Sequence, residues 1–224
     1  MIASLRFHSG YATGLTGIGR RRIDFSPRLN ILFGPNGAGK STILRTLAAA
    51  TGCGAGGWSD GRDPTPLPYE ITMEWDERPA FYQDCYVNSE DSFLNGDYLE
   101  RHAHLRSTGE KRIGLVNELI DYIENRFLTY KLPREVRPTL LLDEVDNHIG
   151  VAAQSVFWKE IIAQLCKKYQ LIIATHSLFP ILLRRDNALR QDNLITLEPD
   201  YAEICVAELG EAIEYFNARN RNAE

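Results

Sequence analysis

The chain has 224 residues, 44% of them hydrophobic and 25% charged, a globular balance that excludes a disordered, collagen-like or coiled-coil chain. Thirty acidic against twenty-five basic residues leave a formal charge of −5, which is not the basic balance of a free-standing nucleic-acid binder. The longest apolar runs span a few residues, such as Leu140–Leu142, against the ~20 that a membrane-spanning helix needs.

Alternation at Leu5 and Phe7, at Ile23 and Phe25, and at Leu29, Ile31, Leu32 and Phe33 predicts three short strands. Arg6 and His8 stand where a secretion signal would be apolar. A glycine-rich turn follows Phe33, then a helical pattern with Ile43, Leu44 and Leu47 on one face, running to Ala50. Residues 51–68 hold five glycines and three prolines and predict a long loop. Tyr69–Trp75 and Phe81–Val87 read as strands. Residues 90–106 are polar and resist assignment. From Glu110, the spacing of Ile113, Val116, Ile120, Ile123 and Phe127 predicts a helix, stopped by Pro133 and Pro138.

Thr139–Leu142 is a continuous apolar run, as in a strand buried on both faces. A helix is expected over Val151–Lys168, a second buried strand over Leu171–Ala174, a further strand over Leu194–Leu197 and a helix over Glu211–Ala218. Strands alternating with helices argue for a parallel α/β sheet. Cys53, Cys85, Cys166 and Cys205 lie far apart with no pair at metal-ligand spacing, as expected of reduced thiols in a cytoplasmic protein.

Gly34-Pro35-Asn36-Gly37-Ala38-Gly39-Lys40-Ser41 fits G-x-x-x-x-G-K-[ST] without mismatch, between an apolar strand and a helical pattern. Glycines let the backbone fold tightly enough for several N–H groups to face one anion. The helix that follows offers its positive end to phosphates. Lys40 can reach the β- and γ-phosphates, Ser41 can ligate Mg²⁺, and Thr42 adds a phosphate contact. Asp143-Glu144 end the apolar run at Leu142, in the form of a Walker-B strand. Asp143 would hold Mg²⁺ and Glu144 would serve as general base to the attacking water. Those two acids alone would fit a surface turn equally well; beside the phosphate cradle they do not. His176, in Ala174-Thr175-His176-Ser177, follows the next apolar strand, on the edge where open α/β sheets bind ligands. There it can contact a γ-phosphate.

Together Gly34–Thr42, Asp143-Glu144 and His176 resemble the Walker A, Walker B and switch-histidine motifs of the ABC-type ATPase superfamily. Ser107-Thr108-Gly109-Glu110 stands where the family carries its signature, with Thr108 in place of a glycine and Arg106 in place of the usual leucine. The resemblance implies that Ser107, Gly109 and Glu110 close over a γ-phosphate. It also implies that Gln83 is the Q-loop glutamine, touching nucleotide and Mg²⁺, and that Asp146-Asn147-His148 is the D-loop. Tyr11, 23 residues before Gly34, is either similar to the adenine-stacking aromatic of transporter cassettes or a core or turn tyrosine, the second being favoured.

The run Ile23–Ile31, together with Val145 where transporter cassettes carry proline, looks like the SMC, RecF and OLD-like branch. Only 67 residues separate Lys40 from Ser107, so this is a compact head without a coiled-coil arm. The implied fold is a P-loop NTPase: a mixed, mainly parallel sheet flanked by helices, with an antiparallel β subdomain at the N-terminus. One domain is expected over 1–224, with 1–50 and 135–224 as the nucleotide core and about 51–134 as the Gly/Pro loop, Q-loop and signature region.

The resemblance further implies an ATPase with ATP and Mg²⁺, working as an ATP-dependent homodimer because one chain carries one cradle and one signature. The chain would act as a dimeric switch or motor subunit of a multi-protein complex in DNA repair or anti-phage defence, with a separate effector or partner protein. DNA stays open as a ligand through Arg20, Arg21 and Arg22, although a solvated cationic turn is the better reading of those three. The alternatives are a nucleotide-binding subunit of an ABC transporter and a regulatory module that holds ATP without turnover.

Overall fold

The computed structural model describes residues 1–53, 57–59, 64–84, 125, 137–147, 150–185 and 192–221. The predicted signature residues Ser107, Gly109 and Glu110, the helix from Glu110, and His148 lie outside them.

Strand β1 (Ile2–Phe7) buries Ile2, Leu5 and Phe7. It pairs antiparallel with β2 (Arg22–Asp24) on one side, Leu5 facing Ile23. On its other side lies β5 (Ile71–Trp75), with Leu5 facing Met73. These form a small antiparallel sheet in the order β2-β1-β5, as expected for the N-terminal subdomain. The larger sheet, among the described residues, runs β4-β6-β7-β8-β3-β9. It contains β3 (Leu29–Phe33), β4 (Gly57–Ser59), β6 (Ala80–Asp84), β7 (Thr139–Asp143), β8 (Gln170–Thr175) and β9 (Asp192–Thr196). All neighbours are parallel except β4 with β6.

Every residue of β3, β7 and β8 is buried, which explains the apolar runs Ile31–Phe33, Leu140–Leu142 and Leu171–Ala174. Alternation divides them between two cores. Ile31, Phe33, Leu140, Leu142, Leu171 and Ile173 meet Phe157, Trp158 and Ile161 on one face. Leu32, Leu141, Ile172 and Ala174 meet the small sheet and α1 (Lys40–Ala50), through Ile43, Leu44 and Leu47, on the other. Buried Gln170 ties the layers: Oε1 accepts from Ile2 N and Thr139 Oγ1, both at 2.8 Å, and Nε2 donates to Ile2 O (2.7 Å) and Ser26 O (2.9 Å). All of its polar atoms are thereby satisfied away from water.

The fold departs from the sequence expectations at four places. Gly57–Ser59, expected as loop, forms edge strand β4, since three residues pairing with β6 suffice on a sheet edge. The helix over 151–168 is α2 (Val151–Val156) and α3 (Ile162–Lys168) joined by a π-turn over Phe157–Ile161. The wider turn accommodates Phe157 and Trp158, adjacent in sequence and both wholly buried. A short helix α4 (Phe179–Arg185) starts with Pro180 in its first turn, where a missing N–H costs nothing. The last helix, α5, spans Tyr201–Arg221, ten residues earlier than expected. It runs through Gly210, a tolerated cost of about 1 kcal/mol. Within α5, Ile213, Tyr215 and Phe216 are exposed. No helix among the described residues is long and apolar enough to cross a membrane.

Candidate functional site

The turn between β3 and α1 is built from backbone conformations that glycine permits. Gly37 has φ +79° and Gly39 φ +100°, both in the left-handed region that costs other residues about 1–2 kcal/mol. A side chain at Gly39 would also meet Ile18 Cδ1 at 2.5 Å, whereas Gly37 faces open space. Helix α1 starts at Lys40, so its unpaired N–H groups and positive dipole end open onto this turn. Lys40 is 4% exposed. Its Nζ donates to Gly34 O at 2.8 Å and Pro35 O at 3.1 Å. Burial pulls its ammonium below the usual lysine range, against the raising influence of Glu144 and Asp143.

One residue further on, Ser41 Oγ donates to Asp143 Oδ1 at 2.9 Å. The parallel pairing of β7 with β6 and β8 delivers Asp143 to the strand end nearest α1. Asp143 is 3% exposed. Burial raises its carboxyl above the usual carboxylate range, while hydrogen bonds from Ser41 and Tyr82 oppose the shift. A hydroxyl against a carboxylate is a set of hard oxygen donors, the kind that Mg²⁺ takes in ones and twos alongside water and substrate phosphates. The residues present fit that ion.

Glu144 leaves the strand in the left-handed region, φ +53°, a strained conformation for a residue with a side chain. The turn is held by Glu144 N donating to Ala174 O and Asn147 N donating to Glu144 O, both at 2.9 Å. Both carboxylate oxygens are engaged: Nε2 of His176 lies 3.0 Å from Oε1, and Asn147 Nδ2 donates to Oε2 at 2.7 Å. Burial first, and the charge of Lys40 second, hold the His176 imidazole below the usual histidine value, with Glu144 pulling the other way. In its neutral form the imidazole can donate Nε2–H to that carboxylate.

Behind this pair, buried Asp146 Oδ2 accepts from Trp158 Nε1 (2.9 Å) and from Thr175 Oγ1 (2.7 Å). That contact joins the turn after β7 to the end of β8, one residue before His176.

The structure thus brings Gly34–Thr42, Lys40, Ser41, Asp143, Glu144 and His176 to one end of the sheet. Gln83 is buried on β6, where strand alternation puts it on the Phe81 side, opposite to Tyr82, whose hydroxyl meets Asp143. Tyr11 opens a single 3-10 turn (Tyr11–Gly14), so it is a turn tyrosine but not a core one: it is 66% exposed and its hydroxyl lies 2.8 Å from Thr42 Oγ1. Arg22 is engaged within the fold, on Glu74 (2.9 and 2.7 Å) and Asp24 (2.6 Å), and Arg21 donates to Thr196 O. Two of the three arginines weighed as a basic loop are thus engaged within the fold, Arg21 and Arg22. Tyr82 carries no motif; what marks it is its register with Leu141. Asn147 belongs to the expected D-loop Asp146-Asn147-His148, three residues after Glu144.

A family model described as an AAA domain matches residues 14–125, half of the chain. The cytochrome c biogenesis ATP-binding export protein CcmA of Ruegeria pomeroyi is 33% identical over 162 residues, which cover 66% of this chain and 72% of that protein. The protein of the same name from Paracoccus denitrificans is 29% identical over 160 residues, 65% and 68% of the two chains. Among solved structures, the SMC head domain from Thermotoga maritima aligns over 81% of this chain and 91% of its own at 18% identity, with a TM-score of 0.41. The chain belongs to the AAA-domain family within the ABC-type ATPase superfamily, and is an ATP-binding, ATP-hydrolysing nucleotide-binding domain.

Proposed function

We propose that this chain is the ATP-hydrolysing subunit of a membrane export machine, acting as a pair on a separate membrane protein. The likeness to two CcmA export proteins supports the membrane partner. The expectation of a DNA-repair or defence switch falls to second place. Neither relative is of that kind, and of the three arginines that left DNA open as a ligand, Arg22 is held by Glu74 and Asp24 and Arg21 by Thr196 O. Val145, buried at 3% in the core where transporter cassettes carry proline, is the observation that keeps the second reading in view.

The observation that carries the chemistry is the placement of Ser41, Asp143, Glu144 and His176 around the mouth of the Gly34–Thr42 turn. In this reading the triphosphate takes the N–H groups of the turn, and Lys40 exchanges the Gly34 and Pro35 carbonyls for phosphate oxygens. Ser41 and Asp143 would hold Mg²⁺, which would supply charge neutralisation to the phosphate groups. Glu144 accepts the proton of the water that attacks the γ-phosphorus as the bond to the bridging oxygen breaks, releasing ADP and phosphate. His176 and Asn147 fix the Glu144 carboxylate for that transfer. Gln83 is left without a role because its face is the wrong one.

Purification of the tagged chain from gently solubilised membranes tests the reading. A co-purifying membrane protein whose reconstitution stimulates ATP turnover is expected. Turnover stimulated by DNA, with steep salt dependence, and no membrane partner would reverse the two readings. In solution, Glu144→Gln with ATP is expected to accumulate as a dimer; a monomer at high concentration would remove the pairing.

A further inference from the structure

We propose that Tyr82 is a positioning residue for Asp143, acting with Arg45, so that this carboxylate presents one chosen oxygen to the metal side of the site. The inference rests on the reading of Asp143 as a Mg²⁺-facing group. Asp143 is buried and accepts one hydroxyl on each oxygen: Ser41 on Oδ1 at 2.9 Å and Tyr82 on Oδ2 at 3.2 Å. Ser41 is itself a candidate metal ligand, so its hydroxyl has two duties. The Tyr82 hydroxyl has one.

Tyr82 is 3% exposed, and its ring sits in the apolar cluster with Leu47 and Leu141, opposite Leu141 in the β6–β7 register. The ring cannot follow a turning carboxylate. Arg45 lies four residues after Ser41, on the same face of α1, and its Nε donates to the Tyr82 hydroxyl oxygen at 3.4 Å. A phenol that accepts from Arg45 has its own hydrogen left for Asp143. Helix α1 therefore addresses the carboxylate twice, directly through Ser41 and by way of the phenol through Arg45. Phenylalanine in place of Tyr82 would fill the same space and leave Oδ2 without its donor, free to rotate towards the metal side.

The test is equilibrium binding of a fluorescent ATP analogue to Tyr82→Phe, across a Mg²⁺ titration and in EDTA, with the thermal unfolding midpoint measured alongside. The Mg²⁺ concentration giving half of the metal-dependent gain in affinity is expected to rise on the order of tenfold, the factor that one hydrogen bond to a charged acceptor supplies. Affinity in EDTA stays at the wild-type value. Arg45→Met, which keeps the phenol and its packing, moves the titration the same way by less, and carries the test should Tyr82→Phe fail to fold. A Mg²⁺ titration that superimposes on wild type, or an affinity loss equal with and without Mg²⁺, overturns the proposal. Asp143→Asn separates the two layers: if it keeps the full gain in affinity from Mg²⁺, the reading of Asp143 is at fault and not the part given to Tyr82.

Discussion

Glu144 and His176, from the ends of adjacent parallel strands, meet with Nε2 of the imidazole 3.0 Å from Oε1 of the carboxylate. Neither is free to move alone, because Asn147 holds the other carboxylate oxygen. Glu144→Gln is expected to lower ATP turnover by about 10²-fold or more, as for loss of a general base, while ATP binding survives. His176→Ala should lower it by less. The double variant should be no slower than Glu144→Gln, since residues that act as one unit are not additive. Steady-state phosphate release from the three variants checks this.

The neutral state of His176 has a stability consequence. Its pKa in the folded chain lies below the ordinary 6.5 because of burial and then Lys40. As pH falls through 6.5 the unfolded chain binds the proton first, so the folded state loses ground. Stability gained from the neutral imidazole is full above that pH and declines below it. Thermal unfolding between pH 7.5 and about pH 5.5 should show a steeper loss for wild type than for His176→Gln.

Lys40 is held by two carbonyls in a buried setting that disfavours its charge. Lys40→Met is therefore expected to leave the unfolding midpoint of the nucleotide-free protein unchanged or raised. The stabilisation that ATP gives the wild type, about 2.7 kcal/mol at a hundredfold excess over Kd, should be lost. Denaturant unfolding with and without ATP distinguishes the two effects.

The two glycines of the turn should respond differently. Gly37→Ala meets open space and carries only the cost of its left-handed backbone. Gly39→Ala adds a clash with Ile18 and Leu15. The second should be the more destabilising, by about 1–3 kcal/mol, in chemical denaturation of the nucleotide-free chain.

What the sequence discloses of this site follows from how tightly a function dictates residue type. The Gly34–Thr42 turn is readable because left-handed backbone and a buried lysine leave few choices. Asp143, Glu144 and His176 are readable because each closes an apolar run that can only be a buried strand. The role of Tyr82 is not, since a tyrosine in a strand looks like core until register sets it beside Asp143. The π-turn at Phe157–Ile161 does leave a mark in the spacing: Val156 and Ile161, both buried, stand five residues apart, one more than an α-helical face allows. Gly210 lies within a helix and Pro180 in the first turn of another, so neither residue type marks a helix end there.

The measurement that bears most directly on the account is a crystal structure with a non-hydrolysable ATP analogue and Mg²⁺. The expected result is a triphosphate on the N–H groups of Gly37–Thr42. Lys40 Nζ should have left Gly34 O for the β- and γ-phosphates, with Mg²⁺ between Ser41 and Asp143. A nucleotide bound elsewhere, or Asp143 and Glu144 turned away from the metal, would contradict it.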